Sequence, residues 1–87
     1  VIRPLADVDV VAEVVKLIVA ANSKRKEVLI KNRSVNTGVV RVGDASVSAG
    51  KGYELEPGES VIITTTASVH GFCDESVSLS LTELEFV

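Results

Sequence analysis

From Val77 to Thr82 the chain alternates without a fault: Val77, Leu79 and Leu81 are apolar, while Ser78, Ser80 and Thr82 are small and polar. A period of two places successive side chains on opposite faces of a strand, so this segment buries one face and wets the other only as part of a β-sheet. Past Thr82 the phase slips, because Leu84 and Phe86 occupy the opposite parity. The spacing predicts a β-bulge near Thr82 and Glu83, or a strand that leaves one sheet and joins another.

The rest of the chain is punctuated in the same style. Residues 27–34, EVLIKNRS, read as a strand, Asn36-Thr37-Gly38 as a tight turn, and residues 39–43, VVRVG, as the next strand. A Gly at the end of so short a turn makes a hairpin the natural reading. Residues 44–52, DASVSAGKG, form a small-residue loop in which Gly50 and Gly52 are free to take positive φ. Tyr53 and Leu55 are expected inward, with Glu54, Glu56 and Glu59 at the rim. Between them and the β-branched run Val61 to Thr66 stand Pro57 and Gly58. Pro57 presets the first dihedral of a type II turn and Gly58 supplies the positive φ at its next position.

Residues 8–22, VDVVAEVVKLIVAAN, are ambiguous. Val11, Val14, Val15 and Ile18 recur at helical spacing and Asn22 is an acceptable C-terminal cap, yet Val8, Val10, Ala12 and Val14 alternate. The stiff χ1 of the many Val and Ile residues favours strand. Residues 1–7, VIRPLAD, are expected to be an extended arm, since Arg3 precedes Pro4 and is biased away from helix. Counting gives about seven short strands with turn signals every 8 to 12 residues, the pattern of an all-β sandwich or barrel. The expected organisation is an arm over residues 1–7 and one sandwich domain over 8–87. Val28, Ile30, Val40, Val42, Leu55, Val61, Ile63, Val77, Leu79 and Leu81 are expected in its core.

At 87 residues the chain supports one core, and a domain of this size buries only roughly 60 to 65% of its unfolded surface. Sharing of stability with a partner is therefore expected. The apolar 46% contains neither Trp nor Met and is dominated by Val, Leu, Ile and Ala, residues that fill a core without offering chemistry. A net charge of −3 argues against nucleic acid as a partner. The one basic cluster, Lys24-Arg25-Lys26, is read as a turn, with contact to an acidic partner surface as the second reading. The longest near-apolar run, Val14 to Ala21, contains Lys16 and is too short to span a bilayer, and residues 1–9 lack the pattern of a signal peptide. Synthesis and residence in a cytoplasm are expected, and a single cysteine excludes an internal disulfide.

Catalytic and metal chemistry find little to work with. The only ligand-like cluster is His70 to Glu75, HGFCDE, and no second cluster completes a tetrahedron around it. His70 is the only imidazole available to a Ser-His-Asp arrangement, and no nucleophile elbow is present. Lys51 is followed by Gly52, so residues 43–52 fail the pattern of a phosphate-binding loop. Cys73 beside Phe72 reads as a small buried hydrophobe. No enzyme activity and no cofactor are expected.

Four elements in register carry a resemblance. They are the Asn turn with its basic residues (Ala20 to Lys26), the strand ending in Asn (Val28 to Asn32), the V-x-V-G strand (Val40 to Gly43), and G-x-x-L-x-P-G-E-S (Gly52 to Ser60). Over residues 17–86 the chain resembles small virion structural proteins of tailed bacteriophages. It departs from that pattern at VIRPLADVDV and at HGFCDES. The resemblance implies a compact antiparallel β-sandwich, jelly-roll-like, that decorates a capsid as a cement protein. A head-tail connector, a tail component or a small ligand- or receptor-binding β module is the alternative. The implied partner is the major capsid protein or another virion protein, with the capsid surface as the location and a host bacterial cytoplasm as the place of synthesis. A homo-oligomer, a trimer on a threefold capsid position, is expected, with Val1, Ile2, Arg3 and Leu5 of the arm and Lys24, Arg25 and Lys26 of the turn touching the partner.

Overall fold

The computed structural model describes residues 1–86, and Val87, the last residue of the expected domain, lies outside the described residues. Eight strands follow one another: β1 (Ile2–Val10), β2 (Lys16–Val19), β3 (Arg25–Asn32), β4 (Val40–Gly43), β5 (Tyr53–Leu55), β6 (Ser60–Ile63), β7 (Val69–Cys73) and β8 (Val77–Glu85). They form two four-stranded sheets, ordered β1-β8-β3-β6 and β2-β7-β4-β5, and every pairing is antiparallel.

That order has a simple origin. β1 pairs with β8, β2 with β7, β3 with β6 and β4 with β5, so the chain is one long ribbon doubled back at the loop 44–52. The doubled ribbon then wraps so that β8 meets β3 and β7 meets β4. This is the jelly-roll arrangement of an eight-stranded sandwich, and the all-β sandwich expected from the sequence is the fold of the chain.

Wrapping corrects the reading of the turns. β3 and β4 lie in different sheets, so Asn36-Thr37-Gly38 is a crossing between sheets and not a hairpin. Gly38 is required there by crowding, since a Cβ on it would sit 2.7 Å from the Glu75 carbonyl oxygen. The Pro57-Gly58 turn also crosses between sheets, and Gly58 has the expected positive φ of 89°. Among the described residues the only connection that stays within a sheet is the loop between β4 and β5, in which Val47 is buried.

Both crossings are tied to Asn32. Its side chain is fully buried, and its Nδ2 donates to the carbonyls of Gly38 and Leu55, each at 3.0 Å. Its own carbonyl accepts from the Gly58 N–H at 2.7 Å, and its N–H donates to Glu59. Asn36 donates to Asn32 Oδ1 and to the Ser78 carbonyl, each at 2.7 Å. A buried amide whose donors and acceptor are all matched fixes register, where an unmatched one would destabilise.

The ambiguous segment 8–22 is two strands joined by a turn, which is why eight strands replace the expected seven or so. Glu13 carries the turn with φ 62°, the single positive value outside glycine among the described residues, and its N–H donates to the Cys73 carbonyl at 2.7 Å. Residues 1–7 are extended as expected, but they run on into β1, which pairs with β8 from Ile2 to Val10 with one register shift between Leu5 and Val8. Leu5 packs against the core.

The core joins Val10, Ile18, Val19, Val28, Ile30, Val40, Val42, Leu55, Val69, Cys73, Val77, Leu79 and Leu81, with Val61 and Ile63 packed at its margin. Every residue expected in the core is there. Tyr53 is not inward with Leu55; it is 61% exposed, because the two residues share parity but Tyr53 lies at the start of a three-residue edge strand. The expected bulge on β8 is absent too. Val77, Leu79, Leu81 and Glu83 keep one parity and are all buried, so the alternation continues through a charged residue. The bulge lies across the ladder on β3, where Arg25 opposes Glu85 and Glu27 opposes Leu84. That extra residue turns Arg25 inward, directly to Glu83.

Candidate interaction surface

The side chains expected to touch a partner divide into two groups. Val1 and Ile2 are exposed, and Lys24 and Lys26 are exposed beside them at the same end of the β1-β8-β3-β6 sheet, where Glu85 N–H donates to Val1 O and Phe86 N–H donates to Lys24 O. Arg25 does not belong with them. It is 1% exposed, and its Nη1 lies 2.9 Å from a Glu83 carboxylate oxygen and 3.0 Å from the Ala20 carbonyl. Its Nε donates to the Thr65 carbonyl at 2.8 Å and its Nη2 to the Ala67 carbonyl. A buried guanidinium that donates from all three of its nitrogens inside the fold binds Ala20, Thr65 and Ala67 to the sheet and does not stand on the surface with Lys24 and Lys26. Leu5 is half-buried against the core, and Arg3 pairs with Glu85 at 3.0 Å.

What the sequence did not reveal is the outer face of that sheet. The register aligns Pro4, Thr82, Leu29 and Ile62 in one row across all four strands, and Ile2, Leu84 and Glu27 in the next. Ile2 is 72% exposed, Ile62 58% and Leu29 40%, and with Leu84, Thr82 and Glu27 they line a groove of about 190 Å³. The phase slip at Leu84 was the one signal of it: Leu84 is apolar on the outward parity because the outer face is apolar there.

The outer face of the other sheet is different. Arg41 pairs with Glu54 at 3.0 Å and donates to the Gly52 carbonyl, and these two with Phe72 and Asp74 border a hollow of about 220 Å³. Four further apolar residues, Val11, Val14, Val15 and Leu17, are exposed at the β1–β2 corner, but Glu13 and Lys16 interrupt them.

The remaining candidates carry no assembled chemistry. His70 lies on β7 opposite Leu17 and Gly43, with its Nδ1 buried and without a hydrogen-bond partner among the described residues. Burial pushes the Cys73 thiol up and Asp74 adds to it, against a lowering contact from Val77; the Sγ lies 3.3 Å from the Val10 carbonyl. Ser46 holds the Asp44 carboxyl below its ordinary range by donating both its hydroxyl and its N–H, closing the loop after β4. Among the described residues no three His, Cys, Asp or Glu side chains are grouped to hold a metal ion, and no helix is long and apolar enough to cross a membrane. No family model, curated protein or solved structure matches the chain.

Proposed function

We propose that the chain is a non-enzymatic structural domain of a tailed-phage particle, a decoration protein that seats on the outer capsid surface and stabilises the head. The observation that carries this reading is the apolar outer face of the β1-β8-β3-β6 sheet, where Ile2, Leu29 and Ile62 stand exposed on a rigid ladder. Singly exposed apolar residues are ordinary, whereas a contiguous patch rimmed by charge marks a surface that another protein covers. Lys24 and Lys26 at one end and Glu27 within the groove give the face polar registration points. The jelly-roll order supports the reading at the level of fold, since capsid domains use it, although lectins and cupins use it as well.

The test is co-sedimentation of the purified chain with heads of the phage that encodes it, assembled without this chain. The chain is expected to pellet with the heads and to raise the temperature at which they break. Leu29→Glu should abolish pelleting while the melting of the isolated chain stays close to that of the parent. A parent chain that stays in the supernatant at every concentration overturns the assignment.

A further inference from the structure

The four sheet edges are guarded unequally. An open edge presents unpaired N–H and C=O groups, and soluble proteins blunt such edges with charge, proline, brevity or cover. β1 carries Arg3, Pro4, Asp7 and Asp9. β2 begins at Lys16, and β5 is only three residues long with Glu54 at its centre. β6 is short but otherwise bare: from Ser60 to Val69 the sequence contains no charged residue and no proline.

The phase of β6 follows from one hydrogen bond. The Asn32 N–H donates to the Glu59 carbonyl at 3.0 Å, and Lys31, Ile30, Leu29 and Val28 then face Ser60, Val61, Ile62 and Ile63 in turn. In an antiparallel ladder hydrogen-bonded and non-bonded pairs alternate, so Val61 and Ile63 direct their backbone groups to β3, while Ser60 and Ile62 direct theirs to the open side. The side chain of Ile62 stands on the outer face, 58% exposed, beside Leu29. Behind the strand, the seam between the two sheets is open and mostly apolar, a hollow of about 250 Å³ with Ile63, Ala67 and Val69 in its wall.

We infer that β6 is the pairing edge of a twofold dimer, in which β6 of a second copy lies antiparallel against it and joins two four-stranded sheets into one of eight strands. The occupant is identified by what the edge lacks and by symmetry. A bare, uncharged, β-branched strand offers no complement to a charged peptide, whereas it matches its own copy, and antiparallel pairing about a twofold axis makes each contact twice. With the axis at Ile62, Ile62 faces Ile62 of the second copy and Val61 faces its Ile63, so the outward-directed N–H and C=O of Ile62 find partners in both copies. The row Pro4, Thr82, Leu29, Ile62 then continues without a break into the same row of the second copy. This arrangement is twofold, not the threefold one expected from the sequence, and it does not depend on which particle the chain serves.

The experiment is light scattering coupled to size exclusion on the full chain, over a wide concentration range, with two variants at position 62 and one control. The parent chain is expected to run as a dimer. Ile62→Lys places two like charges face to face on the axis and should weaken dimerisation roughly a hundredfold or more, while Val14→Lys, exposed at the β1–β2 corner beyond the opposite edge strand of the sheet, leaves it unchanged. Opposed residues of a hydrogen-bonded pair have Cα atoms about 5.5 Å apart, within disulfide reach. Ile62→Cys should therefore give a covalent dimer under mild oxidation, with buried Cys73 left reduced. This second variant decides the matter if the lysine variant fails to fold. A parent chain that is monomeric throughout, an oligomer whose size ignores Ile62→Lys, or an Ile62→Cys chain that oxidises no faster than the parent overturns the proposal.

Discussion

Arg25 and Glu83 form an ion pair of 2.9 Å inside the sandwich, with both side chains almost wholly out of water. They meet because the bulge on β3 turns Arg25 inward and unbroken alternation on β8 brings Glu83 inward, so that the two side chains reach each other on the inner face. A buried pair adds little net stability over apolar residues of the same volume, but removing one partner strands the other charge.

Arg25→Met is accordingly expected to cost about 3 to 5 kcal/mol, read from the midpoint of urea unfolding. Arg25→Met with Glu83→Met should be less damaging than Arg25→Met alone, because the stranded carboxylate is gone. It should not return to the parent level, since the carbonyls of Ala20, Thr65 and Ala67 lose their donor in both variants. A double variant less stable than the single would show that the carboxylate is not the costly element.

Asn32→Ala should cost more than a surface Asn does. It deprives the buried carbonyls of Gly38 and Leu55 of their donor at a desolvation penalty of about 1 to 3 kcal/mol each. Hydrogen exchange is expected to speed up in both crossings together, residues 33–39 and 56–59, because one side chain serves both. Loosening of one crossing without the other would contradict the shared tie.

An arm lying outside the domain would be removable without loss of the fold. The pairing of Ile2, Arg3, Pro4 and Leu5 with β8 changes that outcome, since the deletion uncovers the β8 edge and takes Leu5 from the margin of the core. A shortened chain with a markedly lower melting temperature and a tendency to aggregate is expected. Unchanged melting would show that β1 is dispensable.

Acid sensitivity has a named contributor. The Asn22 amide, donating to Glu85 at 2.7 Å, holds the Glu85 carboxyl below its ordinary value of 4.5, and Arg3 adds to the effect. A depressed folded-state pKa means that this contribution is complete above the unfolded value of 4.5 and fades as pH falls through the folded one. Glu85→Gln should therefore flatten the loss of stability below about pH 4.5 and change its slope little at neutral pH. An identical pH profile in the variant would remove Glu85 from the account.

Much of the fold was legible because β-branched alternation and turn residues report directly on strands. The destination of each turn was not. Asn36-Thr37-Gly38 and Pro57-Gly58 bend the chain in the same local way whether the next strand returns beside its predecessor or passes to the opposite sheet, and that choice is made by the wrapping of the whole ribbon. Glu83 misled for a related reason, since a carboxylate at an inward position looks like a phase break until the Arg25 side chain is brought against it. The outer apolar row was hidden because Ile2, Leu29, Ile62 and Leu84 come from four strands, and each alone is unremarkable. The basic turn failed at Arg25, where only the bulge separates the residue that faces inward from neighbours that face out.

The doubling of the ribbon also governs how the chain comes to be folded. Arg3 and Glu85, 82 positions apart, are neighbours, and the pairs nested within them close progressively shorter loops down to residues 44–52. Topologies dominated by such distant contacts fold slowly, because chain closure must precede the contacts that reward it. On the ribosome β1 emerges before the other seven strands and β8 after them, so β1 remains without its partner until synthesis has passed residue 85. The interval is one in which a neighbouring nascent chain, carrying the same open strand, competes for it.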